Sequence, residues 1–495
     1  MTRAPTIARL AAALHAAALL VASGCGGEGE PTPPAARERP DLVLVVVDAL
    51  RADHLNPYGY RRPTSPALAQ LASSGAVFDD NTAQSSATLP SMVSMLTGRA
   101  MLCDAQRIPA GVATLAERLA AAGYQTVAFA GNPLVSRAAG FDRGFQVFLT
   151  RDETGHETWD ARDLHAVVTG WLAENPRDGR PRFFYIHAMD PHFPYRPDDR
   201  PSLPGENAAA PLDQRVRLDD DVLETWTAAV KAAGAGTPLF DSFDAERWLI
   251  LEQIDAYDRE IANVDAATGV ILDALGTGGR LVIVASDHGE AFWERARPPQ
   301  EVEALSADRR TLSRLFEHGH GGSLCQELLR TPLIVSGTGF PVGQRITSAT
   351  SNLDIAPTLL RAAGVPVDPS LEGRALQDQL GNGGHAARPP IYSACRTAVA
   401  VRDPGGYRLV VPTPAGEALG LALQLYQLSD DPHERRNIAA RPLAESREEE
   451  VKMLHALREQ HDEALRTFQL FDGQSTECDD PAQAKVITEF EESRP

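Results

Sequence analysis

DLVLVVVDAL, residues 41–50, decides the fold. Six apolar residues follow one another from Leu42 to Val47, four of them valine, with no polar residue interleaved. A run of that length and β-branching, with no alternation, reads as a strand buried on both faces rather than one with a wet side. Further runs of the same kind are RFFYIHAMD (residues 182–190), GRLVIVASDHGE (279–290) and TPLIVSG (331–337). Helical patterns separate them: PALAQLASSGAVF (66–78) reads as a short helix, and ATLAERLAAAGYQTVAFAGN (113–132) as a helix followed by a strand. Ile250, Ile254, Tyr257, Ile261 and Val264 recur at helical spacing and predict a long amphipathic helix. The pattern is α/β: a doubly wound, mostly parallel sheet flanked by helices. After Pro389 the texture changes to short alternating runs, AVAVRDPGGYRLVV and LALQLYQLSDDPHE, which predict a small antiparallel sheet. Val451, Leu454, Leu457, Leu465 and Phe468 then mark one more helix before an acidic tail.

Two stretches break the alternation, residues 196–243 and 293–315, and read as surface insertions. Insertions at strand ends commonly cover the ligand crevice of an open α/β sheet.

The N-terminus carries Arg3 and Arg9 ahead of an apolar run over residues 10–22, too short to span a bilayer as a mature helix. The run ends in Ala-Ser-Gly-Cys, which resembles a bacterial lipoprotein cleavage box and makes Cys25 the expected lipidated first residue. GGEGEPTPPAARERP follows and has almost nothing to bury, so it reads as a tether. The expected organisation is a signal peptide at 1–24, a tether at 25–40, a catalytic domain at 41–389 and a C-terminal subdomain at 390–495. Export to the cell envelope, with attachment to a membrane through the lipid, follows from that reading. Cys103, Cys325, Cys395 and Cys478 remain, and their wide spacing selects no disulfide pairing.

Lys and Arg number 47 against 67 Asp and Glu, for a formal net charge of −20. Such a balance excludes broad nucleic-acid binding, so an anionic substrate must be held by local groups. Lysine occurs only at 231, 452 and 485.

Asp48 closes the first strand and Asp287 with His288 closes the strand of GRLVIVASDHGE, so metal-competent side chains fall where an open α/β sheet places its ligands. Thr88 opens TLPSMVSMLTGR, with Pro90 in the first turn of a predicted helix whose outward N–H groups, near Leu89 to Met92, suit an anion. Thr88 has two readings, a helix cap or a nucleophile aimed at that anion. His187 and His192 flank Met189-Asp190-Pro191, and His318 and His320 sit in a glycine-rich stretch. Histidine there can hold an anionic oxygen or protonate a leaving alcohol.

VVVDALRADHLNPYGY, TLPSMVSMLTGR, HAMDPHFPY, SDHGE, HGHGGSL with LLRTPLIV, and DIAPTLLRAAGV occur in this order. Together they resemble the sulfatase family of the alkaline phosphatase superfamily over residues 41–440. The resemblance implies a divalent metal held by Asp48, Asp287 and His288 together with Thr88, and Thr88 at the nucleophile position. It also implies His192 against the substrate, and we assign His192 and His320 to catalysis, with His187, His318 and Ser91 to substrate binding. Two positions depart from the family's pattern: its second N-terminal aspartate falls on Ala49, and its motif arginine on Met92. Threonine cannot become the formylglycine aldehyde of the sulfatases, whereas a bound cation can favour its alkoxide. The expected activity is therefore cleavage of an anionic phosphate, phosphonate or sulfate ester, by hydrolysis or transfer. Sulfate ester hydrolysis without formylglycine and a non-catalytic anion-binding lipoprotein remain as alternatives. The donor set favours manganese or zinc, with magnesium or calcium open. Oligomeric state is not legible.

Overall fold

The strand predicted from the valine run is present as β1 (Asp41–Val47), and all seven of its residues are buried. The computed structural model describes residues 39–101, 106–151, 159–195, 203–276, 278–380 and 388–440, together with 452–453, 456–457 and 459–460 of a last helical stretch. Residues 1–38, with Cys25, lie outside it, as do Cys103, Cys478, Val451, Leu454, Leu465 and Phe468. Among the described residues no helix is long and apolar enough to cross a membrane.

The strands that follow are β2 (Gly75–Thr82), β3 (Gln125–Ala130), β4 (Val147–Thr150), β5 (Arg182–Ala188) and β6 (Arg280–Ala285). Next come β7 (Ala291–Ala296), β8 (Phe316–Gly319), β9 (Arg330–Gly337), β10 (Gln344–Ile346) and β11 (Thr350–Ser351). The main sheet has the order β10-β2-β9-β6-β1-β5-β3-β4, with β11 also on β2. β1 pairs in parallel with β5 and β6, and β9 is antiparallel to both β2 and β6. The sheet is thus mostly parallel, and the strand order reverses about β1. Its crevice opens at the carboxyl ends of β1, β5 and β6, where such folds bind ligands.

Helices cover both faces: α1 (Pro66–Ser73), α2 (Thr88–Thr97), α3 (Leu115–Ala121), α4 (Ala161–Glu174), α5 (Asp220–Ala233), α6 (Pro238–Ala274) and α7 (Ile355–Ala362). Val43, Val45 and Val47 enter one core with residues of α1, α4, α5 and α6. Leu42, Leu44 and Val46 enter the other with residues of α2, α3 and α7. The period of two in β1 therefore feeds both layers, as a strand apolar on both faces must.

The segment PALAQLASSGAVF is not one helix. α1 ends at Ser73 and GAVF opens β2, because Gly75 passes so close to β9 that a Cβ there would lie 2.3 Å from the Val335 carbonyl oxygen. The long helix α6 starts earlier than the apolar spacing indicates, with Thr237 accepting from the Phe240 N–H and Pro238 in its first turn.

The described parts of the two insertions interlock. Residues 203–243 supply α5 and the first turns of α6, while residues 293–315 fall between the early part of β7 and β8, which pair as a two-stranded ribbon. The buried Trp226 donates from Nε1 to the Trp293 carbonyl at 2.9 Å, and the Ser313 N–H donates to Glu246 at 2.7 Å. A small antiparallel sheet follows, β12 (Ile391–Cys395), β13 (Ala398–Arg402), β14 (Tyr407–Pro412) and β15 (Gln424–Gln427). Ser393 Oγ donates to the Ala83 carbonyl at 2.6 Å and the Ala394 N–H to the Gln84 carbonyl at 2.8 Å, so this sheet fastens the stretch leading to Thr88.

Candidate active site

Asp48 stands one residue past β1, its N–H still bonded to the Ala188 carbonyl of β5. The chain then turns through Ala49, whose φ of 54° is left-handed, a region that side-chain-bearing residues rarely adopt. Two contacts hold the turn: the Ala49 N–H donates to Asp287 Oδ1 at 3.2 Å, and Tyr257 of α6 donates its hydroxyl to the Ala49 carbonyl at 2.7 Å. The methyl of Ala49 is fully buried, where the family pattern has a carboxylate.

At the end of β6, Asp287 Oδ1 accepts from the His288 N–H at 2.9 Å, leaving Oδ2 buried and without a hydrogen-bond partner. His288 Nδ1 lies 2.9 Å from the Gly289 carbonyl, which only accepts, so Nδ1 carries the proton and Nε2 presents a lone pair. That Nε2 lies 3.4 Å from Asp287 Oδ2, 3.7 Å from Asp48 Oδ1 and 3.2 Å from Thr88 Oγ1.

His187 joins this group. The β1–β5 pairing sets it opposite Val46, its Nδ1 meets the Tyr185 hydroxyl at 2.8 Å, and its Nε2 lies 3.6 Å from Asp48 Oδ2. Asp48, His187 and Asp287 each offer a ligand atom within 4.8 Å of the others, and all three side chains are buried. Asp48 Oδ1, Asp287 Oδ2 and His187 Nε2 have no hydrogen-bond partner. Two buried carboxylates converging with two imidazole nitrogens are costly without a cation, so this donor set fits a divalent ion. His187, expected against the substrate, is placed among the metal-competent groups.

Burial raises the Asp48 carboxyl, but the nearby His192, His187 and His288 outweigh it and hold the group well below the usual carboxylate range. Asp287 is pushed up by burial and by the charge of Asp48. Burial opposes protonation of His288, yet the charges of Asp287 and Asp48 prevail and raise it.

Thr88 is the first residue of α2, and the flanking Ala87 occupies the cap position with no side-chain bond. Thr88 is therefore not a cap, and its hydroxyl faces His288 Nε2 instead. Because the helix starts at Thr88 and the Ser91 N–H already bonds to the Ala87 carbonyl, the outward donors are Thr88 and Leu89, a set that begins one residue before the expected Leu89 to Met92 and does not extend to Met92. Ser91 does not face a ligand. Fully buried, its Oγ lies 2.7 Å from the Asp287 carbonyl and 3.0 Å from that of Ser85, and ties α2 to the end of β6. Met92 fills the core beneath.

The histidines close the other side. His320 and His288 have ring centroids 4.3 Å apart, and His320 and His192 4.8 Å apart. His192 Nδ1 meets the Phe193 carbonyl, and His320 Nδ1 lies 3.2 Å from Glu290 Oε1. His318 is set further back, stacked on Trp293 at 4.1 Å. Glu290 is fully buried, and burial pushes its carboxyl up.

Sequence reasoning missed Glu290, Asn132 and the ligand position of His187. Asn132 donates to Asp48 Oδ2 from two residues past β3, so the strand-end argument that found Asp48 would have found it too. Glu290, two residues past His288, carried no comparable signal.

A model of the sulfatase family matches residues 40–365. The chain belongs to the sulfatase family. It is 24% identical to a choline-sulfatase of Rhizobium meliloti, over 82% of this chain and 83% of that protein. It is 23% identical to an arylsulfatase of Klebsiella aerogenes, over 73% and 95% respectively. Among solved structures, a putative sulfatase from Bacteroides thetaiotaomicron aligns with a TM-score of 0.64 and 19% identity, covering 87% of this chain and 93% of that one. The phosphonate monoester hydrolase of Agrobacterium radiobacter aligns with a TM-score of 0.60 and 20% identity, over 86% and 96%. This sulfatase-family chain thus has the fold its motifs imply, and it is a hydrolase.

Proposed function

We propose that the chain is a metal-dependent hydrolase of anionic esters in which Thr88 is the nucleophile. The observation that carries this reading is the placement of Thr88 Oγ1 3.2 Å from His288 Nε2, beside three buried ligand atoms that lack partners. Asp48, Asp287, His288 and His187 would hold the ion, with Thr88 at its side. When bound, the ion supplies positive charge that favours the Thr88 alkoxide and offsets charge on the ester.

The residues themselves then divide the work. Thr88 Oγ1, its proton released to solvent, forms a bond to phosphorus or sulfur while the bond to the leaving oxygen breaks, and His320, which enters the step protonated, gives that oxygen its proton. Glu290 holds His320 Nδ1 and so aims the opposite nitrogen into the site, the same division of labour as in a carboxylate–histidine pair. His192 holds a non-reacting oxygen. Water, losing a proton to His320, then bonds to the phosphorus or sulfur as the bond to Thr88 Oγ1 breaks, which releases the acid and restores both groups. An acceptor alcohol in place of water would make the reaction a transfer.

Phosphorus is favoured over sulfur. A hydrated aldehyde can expel sulfate by re-forming its carbonyl, an exit that a threonine ester lacks. Sulfate ester cleavage, the activity named for the choline-sulfatase and the arylsulfatase, is the competing substrate class. Turnover of aryl phosphodiesters, phosphonates and sulfates, before and after chelation and with Mn²⁺ or Zn²⁺ restored, tests the reading. An enzyme inert on all three with metal bound would favour a protein that only binds anions.

We also infer export and lipid attachment at Cys25, supported by the Ala-Ser-Gly-Cys box after a short apolar run. Mass spectrometry of the membrane fraction should find a diacylglyceryl Cys25 at the mature N-terminus. An unmodified peptide spanning Gly24 and Cys25 would contradict it.

A further inference from the structure

A cleft of about 850 Å³ opens between the edge of the main sheet and the β13–β14 turn of the small one. It shares no residue with the candidate active site. β2, which contributes Asp79 and Asp80 to its wall, lies two strands from β6, so the cleft is on the order of 10 Å along the sheet from the strand that carries Asp287.

Five arginines line it, at 330, 345, 374, 388 and 402, in a chain of net charge −20. Three of them are neutralised: Arg345 pairs with Asp79, Arg388 with Asp354 at 2.6 Å, and Arg402 with Asp80. The third lining carboxylate, Asp378, pairs with Arg361. Arg330 spends two donors on the Asp79 carbonyl oxygen, which brings no charge. No carboxylate pairs with Arg330 or Arg374 among the described residues, and both side chains are half-buried on the cleft wall. Two guanidiniums without a salt-bridged carboxylate, Arg330 acting only at longer range on Asp53, share one concavity whose other arginines are paired, and such a wall suits an anion.

The remaining lining limits what the anion is carried on. The volume is that of a ligand site far larger than one oxyanion. Gln326, Gln344, Gln379, Thr347, Ser348 and Ser429 offer amides and hydroxyls, and no aromatic ring lines the cleft among the described residues on which a base could stack. We propose that this cleft binds an anionic saccharide, with Arg330 and Arg374 taking its sulfate or phosphate groups and the amides and hydroxyls taking its ring oxygens. The proposal goes beyond the ester chemistry at Thr88 and does not depend on it.

Calorimetric titration of the full chain tests it, with a sulfated tetrasaccharide, its desulfated counterpart and inorganic phosphate as separate probes. Arg374→Gln is a mild variant, because the structural contact at this position is the backbone N–H to Asp354, which the substitution leaves in place. Arg330→Gln is the second, with melting temperature as the folding control. The sulfated tetrasaccharide should bind, and each variant should weaken it about tenfold or more while turnover of a small aryl ester stays unchanged. No binding, or wild-type affinity in both folded variants, would overturn the proposal. Arginine-dependent binding of phosphate as tight as that of the tetrasaccharide would overturn the saccharide assignment and leave a small-ion site. Loss of ester turnover in the wild type would touch only the proposed activity, since binding is read without it.

Discussion

Thr88 Oγ1 and His288 Nε2 lie 3.2 Å apart although 200 positions separate them in the chain. The contact joins the first residue of α2 to the turn after β6, and Ser91 Oγ, bonded to the Asp287 carbonyl, holds those two elements in register. A helix start thereby delivers a hydroxyl and two unspent N–H groups to the edge of a carboxylate–imidazole cluster, which is what attack on a tetrahedral anion requires.

Metal content should follow the cluster rather than the motif alone. His187→Ala and Asp287→Ala should each lower bound metal by tenfold or more and abolish turnover, and a cooperative melting transition measured without metal checks that each variant folds. Elemental analysis after dialysis checks this. Full occupancy in His187→Ala would return His187 to the substrate side.

Glu290→Gln keeps an oxygen acceptor for His320 Nδ1–H but removes the charge. If Glu290 positions His320, kcat should fall by about 10²-fold with KM nearly unchanged, since replacing the carboxylate that orients a catalytic imidazole costs up to about 10⁴. Equal kcat in the variant would make Glu290 a packing residue only.

Asp265 of α6 accepts from the Ala67 and Leu68 N–H groups at the start of α1, and burial nevertheless pushes its carboxyl from 3.8 up to about 6. A folded value above the unfolded one means the folded chain holds the proton more tightly. The contribution to stability is then full below pH ~4 and lost as the pH rises through 6, a swing on the order of 3 kcal/mol. Asp265→Ala should flatten the pH dependence of the denaturant midpoint between pH 4 and 7. An unchanged slope would contradict the assignment.

What the sequence showed and what it hid divide by locality. Six apolar residues in a row make β1 a central strand wherever the chain goes, and Asp48 and Asp287 are found because a strand end is a place in the fold as well as in the sequence. Asp48 nevertheless acquires His187 only through the β1–β5 pairing, which joins residues far apart in the chain, so the ligand position of His187 was not legible. The helix limit at Ser73 was hidden for a similar reason: the crowding against the Val335 carbonyl that requires Gly75 comes from a strand not yet formed when the segment is read alone. Ser91 looked like an anion contact from its place in the motif, and only the approach of the Asp287 carbonyl shows where its hydroxyl goes.

Turnover and metal content of Thr88→Ala, measured together, test the central claim most directly. Aryl phosphodiester turnover should fall by several orders of magnitude while bound metal persists through Asp48, His187, Asp287 and His288 and the melting temperature changes little, and Thr88→Ser should recover part of the rate. A folded, metal-loaded Thr88→Ala enzyme with wild-type turnover would contradict the assignment of Thr88 as nucleophile.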